Sequence, residues 1–67
     1  NMIPVSSSNL SAVGYENRTL YVRFNNGSLY SYSGVPESVY RGLLSASSHG
    51  SYLASHVKGH YPYRRIG

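Results

Sequence analysis

The chain has 67 residues, of which eight are tyrosine and none cysteine, and six Lys/Arg outweigh two acidic residues for a net charge of +4. A chain of this length makes one small domain with a thin core. Without cysteine it has no disulfide and no thiolate metal site, and two carboxylates leave general acid–base catalysis few players.

Residues 1–7 read as a polar lead-in, running into the turn chemistry of Ser6-Ser7-Ser8-Asn9. Leu10 to Tyr15 alternates as a first strand, with Val13 and Tyr15 on one face. Glu16-Asn17-Arg18 turns the chain into Thr19-Leu20-Tyr21-Val22-Arg23-Phe24, the clearest strand, with Leu20, Val22 and Phe24 pointing one way and Thr19, Tyr21 and Arg23 the other.

Asn25-Asn26-Gly27 is a strong hairpin signal, because Asn and Gly tolerate positive φ. Ser28 to Tyr32 is the returning strand, and the loop length decides its facing. A two-residue turn at Asn26-Gly27 pairs Phe24 with Leu29 and sets Tyr30 and Tyr32 beside Tyr21 and Arg23. A three-residue loop with Gly27 as a bulge pairs Phe24 with Ser28 and turns both tyrosines to the Leu20/Val22 side. One residue of register flips every side chain, and the sequence leaves both versions open.

Gly34-Val35-Pro36-Glu37 opens a helix over about residues 36–46, since proline suits its first position and glutamate its first turn. Val39, Tyr40, Leu43 and Leu44 form its apolar stripe. A second short helix, capped by Ser48 or Ser51, holds Tyr52, Leu53, His56 and Val57 and ends at Gly59. Residues 61–67 read as an extended basic tail, because Pro62 bars Tyr61–Ile66 from a central strand. The expected fold is α+β: a three-stranded antiparallel sheet followed by two short helices packed on one face.

The ordered signals Ala12-Val13-Gly14-Tyr15, the Asn-Gly turn, Tyr30-Ser31-Tyr32, Gly34-Val35-Pro36, Leu43-Leu44, Ala46-Ser47-Ser48-His49-Gly50-Ser51-Tyr52 and Tyr61-Pro62-Tyr63 resemble the KTSC domain. That domain occurs at the C-terminus of some lysyl-tRNA synthetases and as stand-alone bacterial or phage proteins. The resemblance runs from about Val5 to Ile66 and implies a single domain over residues 1–67. It also implies RNA as a partner, through the attachment to a tRNA-charging enzyme, but carries over no site residues.

Tyrosine can stack on a base and arginine can fork onto a phosphate, the pairing used to hold single-stranded nucleic acid. Tyr21 and Arg23, with Tyr30 and Tyr32 in one register, form one aromatic–basic set. Tyr61, Tyr63, Arg64 and Arg65 form another, which Lys58 and Arg18 extend. His49, at the helix–helix junction, is a candidate phosphate contact. For Tyr40 and Tyr52 the plainer reading is core filling. His56 and His60 are four apart, but Gly59 interrupts the helix between them, so no metal site is expected.

These residues point to a non-catalytic module that binds nucleic acid, with RNA the expected partner and no cofactor. One alternative is a homo-oligomer that sequesters a nucleotide-like anion such as a cyclic nucleotide. Another is a protein-interaction domain. No apolar run is long enough for a membrane span and no signal peptide is visible, so a cytoplasmic location is the default expectation.

Overall fold

The computed structural model describes residues 2–67. Its strands are β1 (Met2–Pro4), β2 (Leu10–Glu16), β3 (Thr19–Phe24), β4 (Leu29–Ser33) and β5 (Tyr63–Arg65), with helices α1 (Glu37–Ser45) and α2 (His49–His56) between β4 and β5. The strands form one sheet in the order β1-β2-β3-β4-β5, every neighbouring pair antiparallel. The α+β class is as expected, but the sheet has five strands rather than three. Met2–Pro4 lies outside the expected strands and pairs with Ala12–Gly14. Pro62 bars a central strand, yet the tail becomes an edge strand directly after it, where one unpaired side costs nothing.

Two hairpins set the geometry. Between β2 and β3, Asn17 and Arg18 both take positive φ, 52° and 60°, the mirror-image turn that matches strand twist in a two-residue loop. Between β3 and β4 the loop is the three-residue version. Gly27 sits at φ 91°, its amide donates to the Phe24 carbonyl at 2.9 Å, and the Phe24 amide donates to Ser28 O at 2.9 Å. Val22 then lies opposite Tyr30 and Leu20 opposite Tyr32. A register shift between Leu10 and Ala12 does similar work in β2, letting Leu10 and Val13, three residues apart, both reach the core.

The helices cover the face carrying Val13, Leu20, Val22 and Tyr32. Leu43 of α1, Leu53 of α2, Val57 just beyond it and Val35 before α1 complete the buried cluster. Val39, Tyr40 and Leu44, the rest of the α1 stripe, are half-buried against it. Pro36 stands at the N-cap position rather than the first helical one, and the Ser48 hydroxyl caps α2 by accepting from the Ser51 amide. The two tyrosines expected as core filling do that work. Tyr40 stacks on Tyr15 at 5.0 Å, and the Tyr15 hydroxyl donates to Val35 O at 2.5 Å. Tyr52 lies against α1 so closely that a Cβ on Gly42 would stand 2.7 Å from its Cζ. Among the described residues, no helix covers the opposite sheet face, which carries Ala12, Tyr21, Arg23, Ser31 and Arg64. Among the described residues, no helix is long and apolar enough to cross a membrane.

Candidate functional site

The three-residue loop separates the expected tyrosine–arginine set. Tyr30 and Tyr32 face the helices, whereas Tyr21 and Arg23 point from the other side of the sheet. Arg23 turns back to its own hairpin, donating to Gly27 O at 2.8 Å. The pairing of β4 with β5 divides the tail in the same way. Tyr63 lies opposite Tyr32 and Arg65 opposite Tyr30, on the helix side, while Arg64 lies opposite Ser31 on the open side. Tyr61 is half-buried against the core.

On the helix side the sheet and the end of α2 do not quite close. They leave a cleft of about 410 Å³ lined by Phe24, Asn26, Ser28, Tyr30, Tyr32, Lys58, Gly59 and Tyr63. Its walls are rings. Phe24 meets Tyr30 edge-on at 5.4 Å, and Tyr63 tilts over both Tyr30 and Tyr32 at 5.8 and 6.1 Å. Such contacts contribute about 0.5–1.5 kcal/mol each beyond the area they bury. Gly59, at φ 81°, ends the helical run and leaves Lys58 at the rim, its Nζ 5.3 Å from the centre of the Phe24 ring. Tyr63, by contrast, is 66% exposed.

Tyr32 forms the floor. It is 3% exposed, yet it lines the cleft, and among the described residues nothing hydrogen-bonds its hydroxyl. Burial pushes its phenol above the ordinary value of 10.0, and the Tyr30 and Tyr63 phenols add to the effect. A raised folded value means stability that is fully present below about pH 10 and lost as pH rises through the folded value. The thermal midpoint should therefore fall more steeply above about pH 10 in the wild type than in Tyr32→Phe. Equal alkaline slopes in circular-dichroism melts would assign the loss to other groups.

Beside the floor, Asn26 is held by Ser28, whose backbone amide and hydroxyl both donate to Asn26 Oδ1, at 3.0 and 2.6 Å. The amide oxygen is thus engaged and Nδ2 is left over. Among the described residues no carboxylate side chain lines the cleft: Glu37 pairs with Arg41 at 3.0 Å and Glu16 is exposed at the end of β2.

His49 is not free to face an anion through Nδ1, which donates to Leu43 O at 2.8 Å and so closes the end of α1. His56 stacks on Tyr52 at 4.1 Å, and a His60 ring nitrogen lies 3.0 Å from Ser55 O. No group of three side chains suited to a metal occurs among the described residues. Of the ten candidates, Tyr30, Tyr32, Tyr63 and Lys58 come together in the cleft and Arg65 shares their side. Phe24, Asn26, Ser28 and Gly59 were missed. The Asn-Gly hairpin signal located Asn26 and Ser28, but only as turn residues.

The KTSC domain family model matches residues 6–61. A protein of Stutzerimonas stutzeri strain A1501 is 40% identical over 96% of this chain and 94% of its own length. A KTSC domain protein from Yersinia pestis, known from a crystal structure, superposes with a TM-score of 0.94 at 38% identity, covering 100% of this chain and 97% of that one. A lysine–tRNA ligase of Nostoc sp. strain PCC 7120 is 33% identical over 97% of this chain, which spans 12% of the ligase.

Proposed function

Because this chain belongs to the KTSC domain family, whose fold is here joined to a ring-walled cleft with a cation at its rim, we propose that it is a non-catalytic module that binds single-stranded nucleic acid, RNA in particular. The observation that carries the reading is the cleft itself: Tyr30 and Tyr63 offer faces for a base, Lys58 offers a charge for the adjoining phosphate, and no carboxylate side chain stands among the described residues that line it. That chemistry is how single strands are held without sequence-bound geometry. RNA is favoured over DNA because a stretch akin to this chain occurs within a lysine–tRNA ligase, which by its name acts on tRNA. Lys58 and Arg65, on the cleft's side of the sheet, supply the phosphate contacts. The open face with Tyr21 and Arg23 is left outside the site.

Fluorescence anisotropy with a labelled single-stranded RNA tests this. Two neutralised phosphates give a log–log salt slope of about −1.4, so affinity should fall about sevenfold between about 50 and 200 mM salt. Binding that ignores salt rejects the proposal. A saturable thermal shift with a mononucleotide, but none with RNA, would move the site to the sequestering alternative. A protein partner whose binding survives Arg64→Ala/Arg65→Ala would move it to the interaction-domain alternative.

A further inference from the structure

Asn9, Asn17 and Asn25 are each followed by a residue with a side chain: Leu10, Arg18 and Asn26. Asn26 is followed by Gly27, which has no Cβ to screen its backbone nitrogen. A Cβ there would meet nothing within 4 Å, and both residues are exposed at the tip of the β3–β4 loop. The Asn26 side chain is prepared as an electrophile. Its Oδ1 accepts from the Ser28 amide at 3.0 Å and from the Ser28 hydroxyl at 2.6 Å. Two donors on one oxygen draw charge from Cγ and stabilise an oxyanion that forms there. Those contacts span two residues and do not depend on strand pairing, so they survive a local opening of the loop. The bond that opposes attack runs from the Gly27 amide to Phe24 O at 2.9 Å, and it is broken by such an opening.

We propose that Asn26-Gly27 is a self-modifying site whose product closes the cleft to anions. The Gly27 nitrogen attacks Asn26 Cγ, the bond from Cγ to Nδ2 breaks, and the Gly27 amide proton leaves with Nδ2 as ammonia. Water then opens the cyclic imide. Cleavage at Cγ gives aspartate. Cleavage at the Asn26 main-chain carbonyl gives isoaspartate, which adds a methylene to the backbone of the loop that sets the β4 register. Either product plants a carboxylate in a cleft whose described side chains include none, and shares that cleft with Lys58. The modification follows from the loop alone, whereas the closing rests on the binding role above.

The experiment holds the folded protein in neutral buffer and follows it by peptide mass spectrometry and by isoaspartyl methyltransferase labelling. Asn26 should gain the mass of an amide turned to an acid, while Asn9, Asn17 and Asn25 should not. Ser28→Ala removes the hydroxyl that donates to Asn26 Oδ1 and should slow the conversion about fivefold. Absence of conversion at Asn26 overturns the modification, and so does conversion that is no slower in Ser28→Ala. Asn26→Asp, the product made directly, should bind labelled single-stranded RNA about tenfold more weakly than the wild type at low salt. Equal affinity overturns the closing of the cleft. If the wild type binds no RNA, the binding role and the closing fall together, and the mass reading still decides the modification.

Discussion

Tyr63→Ala should lower the affinity for single-stranded RNA by about 1–3 kcal/mol, or roughly 5- to 150-fold, because it deletes the exposed ring that closes the cleft. Tyr63 touches Tyr30 and Tyr32 only by tilted edges and is the most exposed of the cleft's rings. Its loss should therefore shift the thermal midpoint far less than it shifts binding. Tyr63→Phe keeps the stacking surface and should bind within about threefold of the wild type. The matching control is Tyr21→Ala, on the far side of the sheet, which should bind as the wild type does. If Tyr21→Ala costs as much as Tyr63→Ala, the guest lies on the open face and the cleft is not its site.

The largest effect on stability belongs to Leu20→Ala. Leu20 is 0% exposed in the central strand, between Tyr15 and Tyr32 on its neighbours. Truncating a buried leucine costs about 2–5 kcal/mol, through lost transfer free energy and the cavity left behind. A domain of this size rarely has more than about 3–5 kcal/mol in total. The variant should melt about 10–30 °C below the wild type, or fail to fold at room temperature, as read by circular dichroism. Ile66→Ala, at 47% exposure, should shift the midpoint only slightly. A Leu20→Ala midpoint within a few degrees of the wild type would mean that the core is not centred on β3.

What the sequence made legible was whatever depends on neighbours along the chain. The alternation of Thr19–Phe24, the turn at Asn25-Asn26-Gly27, the stripe Val39-Tyr40-Leu43-Leu44 and the Ser48 cap are local patterns, and each corresponds to an element observed. The two edge strands were not legible, because three residues are too few for a period to show and their pairing partners lie far off in the chain. The facing of Tyr30 and Tyr32 hinged on one residue in a loop. Asn-Gly serves two-residue and three-residue turns alike, so the choice rests on the backbone itself, where only Gly27 of the loop takes positive φ. That single choice dissolved the expected Tyr21–Arg23–Tyr30–Tyr32 face and created the cleft. Asn26 and Ser28 were visible as hairpin residues, but nothing local in the sequence says that a hairpin shoulder will stand beside the Lys58–Gly59 turn.

If the cleft holds a guest as proposed, the last strand responds to it. β5 is three residues long, packs at the sheet margin and carries Tyr63 as its inward ring. So short a segment opens more readily than the strands behind it. Anything seated against Tyr63 presses β5 onto β4, and anything that peels β5 away takes down one side of the receptacle. Occupancy and the docking of this segment are thermodynamically linked, each strengthening the other by the same factor. A filled molecule should keep its sheet closed at the margin; an empty one should breathe there, uncovering the backbone of Tyr30–Tyr32.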